Sequence, residues 1–181
     1  MAEQDKVKER YMKRNIIIFT TIGIIFLILA FSFNHTFARS YHHTFTKTTD
    51  LSKENIGGLF VDDDFYSEEI TKTYGEKTEQ SRNVKGYDYF ELKKGIELAV
   101  NETGEITRFI ITDSNIETIK GIKIGDKREE VIKTYGKNHY FRSEQGANII
   151  GYVDKKRNTS IEFWFYNDIV EFYKLDNKSM K

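Results

Sequence analysis

The chain has 181 residues, enough for one domain or two small ones, and its 28 Lys and Arg balance its 28 Asp and Glu. This balance disfavours sequence-independent nucleic-acid binding, which needs a surplus of positive charge to displace counterions from phosphates. The chain contains no cysteine, so disulfide bonds, thiolate metal ligands and a cysteine nucleophile are excluded.

Residues 15–34 are predicted to form a transmembrane helix, because residues 16–33 carry no charged side chain. At about 1.5 Å per residue this stretch spans a length close to the hydrocarbon core of a bilayer, about 30 Å thick. Residues 1–14 hold five Lys or Arg, which predicts a cytoplasmic tail, a single-pass anchor in the cell membrane and an extracytoplasmic C-terminal domain. The alternatives are a buried core helix and a signal peptide cleaved near Ala38.

Residues 35–55 are rich in Thr, Ser, His and Asn and show no clear period, which predicts a stalk. The histidines of this segment, His35, His42 and His43, do not predict a metal site. A flexible stalk offers neither converging ligands nor neighbouring groups to orient them. We predict no metal and no cofactor.

The rest of the chain contains an internal repeat, with one copy in residues 56–115 and the other in residues 116–181. Glu68-Glu69-Ile70 matches Glu129-Glu130-Val131, and residues 72–75 match residues 133–136. Both matches indicate a short helix. In the first copy, the predicted N-cap of the helix is Asp64 or Ser67, and Gly75 is predicted to end it. In the second copy, Asp126 is the predicted N-cap, Glu129 the capping-box acid and Gly136 the C-cap. The acidic run 62–64 lacks the spacing of a calcium loop and favours a helix cap.

Runs of β-branched and aromatic residues follow each helix and predict antiparallel strands joined by hairpin turns. The predicted strands are residues 87–92, 96–100 and 106–112 in the first copy, and 148–153, 160–166 and 169–175 in the second. The predicted fold class is therefore α+β: an N-terminal transmembrane helix followed by two tandem repeats, each a helix plus a three-stranded antiparallel meander.

The second copy carries the motif Gly121-Ile122-Lys123-Ile124-Gly125-Asp126, followed by Glu129-Glu130-Val131 and Tyr135-Gly136. This motif resembles the opening of small extracytoplasmic domains of Gram-positive bacteria. They are similar to the superfamily that includes the β-lactamase inhibitor protein and the small outer-membrane assembly lipoproteins. The resemblance covers roughly residues 56–176 and implies a tandem-repeat fold with a binding role. The matching residues are structural, so it transfers no binding residue.

The predicted strand 160–166 alternates between two faces. Its apolar residues, expected to face the helices, are Ile161, Phe163 and Phe165. The residues of the other face are Glu162, Trp164 and Tyr166. Because the all-apolar set is the natural inner one, this second face is predicted to be open, and Tyr87 and Tyr89 are predicted to extend it. Exposed Trp and Tyr are favoured interface anchors, so the open face is a candidate binding surface. The alternative is a sheet with both faces buried.

No nucleophile elbow, phosphate loop or zinc-protease motif occurs in the sequence, which favours a protein that is not an enzyme. The predicted function is a membrane-anchored extracytoplasmic binding protein for a protein or a cell-envelope component, acting as an inhibitor or assembly factor. The alternative is a sensory or regulatory membrane protein that acts through a membrane partner. The candidate binding residues are Trp164, Tyr166, Glu162, Tyr87 and Tyr89.

Overall fold

The computed structural model describes Met12 and residues 15–25, 41–74 and 80–178. These residues fall into two compact units, one that ends at Tyr41 and one that begins at His42. In the first unit residues 15–25 are helical. They span about 16 Å, roughly half the thickness of a hydrocarbon core.

Across these described ranges, no helix combines the length and the apolar character needed to cross a membrane. This finding contradicts the predicted transmembrane helix at residues 15–34, and with it the single-pass anchor and the location in the cell membrane. Residues 26–34 of the predicted span, and the predicted tail apart from Met12, lie outside the described residues.

Among its described residues, the second unit contains helical residues 42–45, two further short helices and eight strands. The two further helices are α1 (Glu68–Tyr74) and α2 (Arg128–Tyr135). The strands of the first half are β1 (Gln80–Val84), β2 (Tyr87–Lys93), β3 (Ile96–Val100) and β4 (Ile106–Ile111). Those of the second half are β5 (Tyr140–Glu144), β6 (Ala147–Asp154), β7 (Thr159–Tyr166) and β8 (Ile169–Asn177).

All eight strands belong to one antiparallel sheet with the order β1-β2-β3-β4-β8-β7-β6-β5. The two halves join where β4 pairs with β8, from Arg108 opposite Asp176 to Ile111 opposite Tyr173. The predicted fold of two separate three-stranded repeats is therefore wrong, because each half has four strands and the halves share one sheet. The sequence prediction located six of these strands to within two residues at each end, and it missed β1 and β5.

The two missed strands lie at the edges of the sheet. Every residue of β1 is exposed, and in β5 the side chains alternate between covered and exposed, with only Tyr140 fully buried. Edge strands pair on one side only and are commonly rich in polar and charged residues. Without an apolar face, neither strand gives the alternating signal that the prediction used.

One face of the sheet packs against both helices. Ile70 of α1 and Val131 and Tyr135 of α2 belong to the same buried cluster as Ile161 and Phe163 of β7. Phe165 joins this cluster as well. The predicted inner face of β7 is thus confirmed. Burial of each such side chain contributes about 1.5–3 kcal/mol to folding.

The two ends of α2 differ from the prediction in different ways. The Glu130 carboxylate, not that of Glu129, accepts a hydrogen bond from the Lys127 N–H at 2.9 Å. Asp126 instead accepts from the Lys123 N–H at 2.9 Å, so it stabilises the preceding turn and is not the cap. Gly136 has the predicted positive φ of 92°, but its ψ of −170° is not that of a left-handed helix.

In α1 the Ser67 hydroxyl lies 3.5 Å from the Ile70 N–H, which favours Ser67 over Asp64 as the cap. Gly75, the predicted stop of this helix, lies outside the described residues.

Residues 42–55, predicted as part of a stalk, belong to the second unit and pack beside its sheet. Strand β5 pairs with β6 only as far as Gly151, so the last residues of β6 lack a neighbour on that side. Thr48 bridges Val153 there in parallel, and the Thr49 N–H donates to the Val153 carbonyl at 2.8 Å. Further along the segment, Leu51 and Glu54 are buried.

Candidate binding face of the sheet

The face of the sheet opposite α1 and α2, called here the outer face, carries all five candidate residues. Three rows of side chains cross its central strands. Following the strand pairing, the rows are Arg108, Asp176 and Ser160; Ile110, Lys174, Glu162 and Gly151; and Phe172, Trp164, Ile149 and Arg142. Positive and negative side chains therefore alternate across the face.

The first ion pair of this face joins Arg108 of β4 to Asp176 of β8. The guanidinium donates to both carboxylate oxygens, with Nε–Oδ1 at 2.6 Å and Nη2–Oδ2 at 2.8 Å. It also donates to the Tyr89 hydroxyl at 3.4 Å, across Ala99 of the intervening strand. Burial lowers the pKa of Arg108, but the charge of Asp176 and its hydrogen bonds outweigh burial and raise the pKa above its usual value. Arg108 therefore keeps its charge, and two hydrogen bonds to Asp176 hold it in position.

The second ion pair joins Arg142 of β5 to Glu162 of β7. Its Nε–Oε1 distance is 2.9 Å and its Nη2–Oε2 distance is 2.7 Å. The same guanidinium also pairs with Glu144, and the Tyr140 hydroxyl donates to Glu162 Oε1 at 2.6 Å. Burial raises the pKa of Glu162, yet the hydrogen bonds and charge of Arg142 hold it below its ordinary value. Glu162 is therefore a buried carboxylate that keeps its charge.

Tyr140 reaches Glu162 because Gly151 lies between them in the sheet. An ideal Cβ on Gly151 would lie 2.1 Å from Tyr140 Cζ and 2.4 Å from its hydroxyl. A glycine inside a strand often marks such a close approach. Here it lets the tyrosine ring lie flat across β6.

Trp164 is only 5 % exposed, so the prediction that it lies open on this face is wrong. Its ring stacks on Phe172 with centroids 4.9 Å apart, and the Lys174 ammonium lies 4.1 Å from its centroid. The Arg142 guanidinium is 5.2 Å from the same ring. Long side chains of the outer face itself contact the tryptophan. The alternative that both faces are buried therefore holds at this position.

Lys174 forms no ion pair within the described part of the chain and packs against the two aromatic rings. Burial and the neighbouring charge of Arg108 lower the pKa of its ammonium. Cation–π contact with Trp164 offsets part of this cost, by about 1–2 kcal/mol for a partly desolvated pair.

The other candidates are distributed over the face. Arg142 contacts both the Glu162 carboxylate and the Trp164 ring, and Arg108 donates a hydrogen bond to the Tyr89 hydroxyl. Tyr166, at the end of β7, is 65 % exposed and is the one candidate that is fully open. Tyr87 is half-buried in a small cluster with Tyr89, Ala99 and Ile110, away from the tryptophan.

Sequence reasoning missed the residues that organise this face, namely Arg108, Tyr140, Arg142, Gly151, Lys174 and Asp176. Two signals pointed to them. The isolated glycine inside the 148–153 run indicates a close approach, and the alternation of β8 places Phe172 and Lys174 beside Trp164 and Glu162. Both depend on a strand pairing that the sequence does not specify.

The two buried carboxylates of the outer face, Asp176 and Glu162, are both engaged by arginines. Over the described ranges, no group of three or more His, Cys, Asp or Glu side chains is placed to hold a metal ion. The face thus presents charged and aromatic side chains that are held in position by their neighbours.

Comparison with known proteins gives structural similarity only. No protein-family model matches the chain, and no curated protein matches it. An extracellular protein containing an SCP domain from Bacillus anthracis is 11 % identical with a TM-score of 0.47, over 72 % of this chain and 48 % of that one. A cysteine-rich secretory protein from Staphylococcus aureus is 16 % identical with a TM-score of 0.48, over 70 % and 47 %.

A third similar structure is a DUF4309 family protein from Bacillus subtilis, 9 % identical with a TM-score of 0.42, over 77 % of this chain and 92 % of that one. The chain spans about half the length of the first two proteins. The resemblance to the superfamily of the β-lactamase inhibitor protein is contradicted. That resemblance implied separate tandem repeats, whereas the strands of the described residues form one eight-stranded sheet. The motif behind that resemblance describes helix ends, which many folds share.

Proposed function

We propose that this protein is an extracellular binding protein that engages a protein partner through the outer face of its sheet. The observation that carries the proposal is the fixed set of arginine and aromatic side chains on that face, bordered by the exposed Tyr166. The printed descriptions of two similar structures, an extracellular protein and a secretory protein, are compatible with this location.

The composition of the outer face is that of an interface. Tyr, Trp and Arg are enriched in the buried centre of protein–protein interfaces and among their energetic hot spots. Arg108 and Arg142 are each held by at least two hydrogen bonds to a carboxylate. Side chains that are already ordered lose less entropy when a partner binds, about 0.5–1.5 kcal/mol less for each.

Tyr166 is the residue that we expect to anchor the partner. It lies beyond Trp164 on the same face of β7 and pairs with Ile169 at the start of β8. Its neighbour Ile169 is 36 % exposed, so the hairpin end offers an apolar rim beside the charged rows. Loss of an anchor of this type costs about 2 kcal/mol or more in binding.

The proposal is tested by placing a photo-crosslinking amino acid at position 166 in the full chain, in the organism that makes it. The matched control is position 66, where Tyr66 is also exposed but precedes α1. We expect a discrete, light-dependent adduct at 166 that is absent at 66. With the crosslinked protein purified, Tyr166→Ala should weaken its binding at least about 30-fold. Equal adducts at both positions, or none at 166, would refute the proposal.

The membrane segment of the sensory alternative is contradicted, and its regulatory role stays a prediction. The prediction that the protein is not an enzyme stays a prediction, supported by the full pairing of the carboxylates on the outer face.

A further inference from the structure

Residues 42–50, called here the strap, are attached to β6 by a few hydrogen bonds. The Thr49 N–H donates to the Val153 carbonyl at 2.8 Å, and the Lys155 N–H donates to the Thr48 hydroxyl at 3.2 Å. The Lys155 ammonium donates to the Thr44 carbonyl at 2.8 Å. Five of the nine strap residues are exposed, and the strap lies beside the end of β6 outside the ladder of strands, so it opens locally at a lower free energy than the sheet core.

The first residue of the strap stacks on the outer face. The His42 ring lies parallel to the Tyr140 ring, with centroids 4.3 Å apart and an interplanar angle of 10°. Tyr140 in turn donates to Glu162, the carboxylate that holds Arg142. His42 therefore covers the tyrosine that completes the second ion pair.

We propose that protonation of His42 releases the strap from β6 and uncovers Tyr140 at the end of the outer face. The release of the strap requires no binding partner. Its effect on partner binding rests on the proposed function.

The charges around His42 make its protonation unfavourable while the strap is attached. Arg142 of β5 and Glu162 of β7 act on it with opposite signs, Tyr140 lies against its ring, and Lys155 follows at the end of β6. The strap itself contributes His43 and Lys47. Burial and the charge of Arg142 outweigh Glu162, so the pKa of His42 lies below the ordinary value of 6.5.

The sign of the effect follows from this depression of the pKa. A released histidine binds its proton at a higher pH than the attached one. Attachment is therefore most stable above pH 6.5, and it weakens as the pH falls below that value until the attached ring is also protonated. The released fraction rises by at most about tenfold for each pH unit in this window.

Amide hydrogen exchange of Thr49 in the full chain tests the proposal, followed by NMR between pH 7.5 and 5.0 at roughly half-unit steps. The protection factor, corrected for the intrinsic pH dependence of exchange, should fall below pH 6.5 by up to about tenfold per pH unit. The amide of Phe163 in the centre of the sheet should keep its protection. His42→Phe retains the stacked ring but cannot titrate, so its Thr49 protection should not change with pH. The control His139→Phe should behave like the natural chain.

Constant Thr49 protection in the natural chain, or a pH dependence that persists in His42→Phe, would overturn the release. The crosslink at position 166 then tests the second half of the proposal, at pH 5.5 and 7.5. We expect its yield to change with pH in the natural chain and not in His42→Phe. Release without a change in yield would show that the strap does not control the outer face. Failure of the crosslink at both pH values would instead refute the proposed function, because the exchange experiment needs no partner.

Discussion

Gly151 offers the sharpest test of how the outer face is built. It is the described glycine of the sheet that lies inside a strand with an ordinary φ, so Gly151→Ala introduces no backbone strain. The added methyl group would instead lie 2.1 Å from Tyr140 Cζ, far inside van der Waals contact. The tyrosine must move, and its hydrogen bond to Glu162 is lost as it does so.

The expected cost can be estimated from these contacts. A hydrogen bond to a buried charged acceptor contributes about 1.5–3 kcal/mol, and forcing Tyr140 to stay would cost a similar 1–3 kcal/mol of strain. Only one of the two costs applies, because displacement of the ring relieves the strain. Alanine also gains about 0.5–1 kcal/mol over glycine, because it loses less conformational entropy on folding. We therefore expect Gly151→Ala to lower the free energy of unfolding by about 1–2 kcal/mol.

Urea unfolding followed by the fluorescence of Trp164 measures this change, and Tyr140→Ala supplies the control background. With the ring removed there is nothing for the new methyl group to strike. Gly151→Ala should then be neutral or stabilising by up to about 1 kcal/mol. The sign should thus reverse between the two backgrounds. An equal destabilisation in both would refute the account of Gly151 as the space for Tyr140.

Three further changes test other parts of the structure by urea unfolding, followed by circular dichroism because Trp164 is the only tryptophan of the chain. Trp164→Ala should cost about 3–5 kcal/mol, because the ring is buried, and the emission of Trp164 should be blue-shifted and protected from acrylamide. Gly136→Val should cost about 1–3 kcal/mol from backbone conformation alone, since its φ is 92° and no atom lies within 4 Å of an added Cβ. Burial raises the pKa of Glu54 above its ordinary 4.5, despite hydrogen bonds from Tyr135 and Ile119, so the carboxyl destabilises the fold as the pH rises above that value. The unfolding free energy of Glu54→Gln relative to the natural chain should therefore increase from pH 4.5 to 7, and a difference that does not change with pH would contradict this assignment.

The side chains on the inner face of β7 were predictable from the sequence because the signal is local. Ile161, Phe163 and Phe165 alternate with the residues of the other face, and this alternation alone decides which side chains face the helices. Positive φ at Gly136 was also predictable, since a glycine after the last apolar residue of a helix is a local feature. These predictions needed no knowledge of which strand lies beside which.

The apolar run at residues 16–33 misled the prediction because hydropathy is also a local signal. Length and absence of charge are necessary for a membrane helix, but they are not sufficient. Residues 15–25 of this region are helical, and residues 26–34 lie outside the described residues.

The outer face was not predictable because its contacts are far apart in sequence. The Arg108–Asp176 pair joins residues 68 positions apart, and it forms only because β4 and β8 are neighbours. The prediction left the two halves as separate meanders and so could not bring these charges together. It took the polar residues beside Trp164 as a sign of exposure, whereas the arginine and lysine chains of neighbouring strands cover the ring. Long charged side chains often bury apolar surface in this way while keeping their charged ends hydrated.

Small residues explain how charges are buried on a face that neither α1 nor α2 covers. Ala99 lies between Tyr89 and Arg108, and Gly151 lies between Tyr140 and Glu162. In each half, a tyrosine hydroxyl forms a hydrogen bond with a charged group on the other side of the small residue. A buried ion pair gains little net stability, because desolvation offsets its Coulomb attraction unless further hydrogen bonds satisfy the charges. The two tyrosines supply those bonds, and they can do so only where no side chain stands in their path. The order of the outer face thus depends on Ala99 and Gly151 as directly as on the charges themselves.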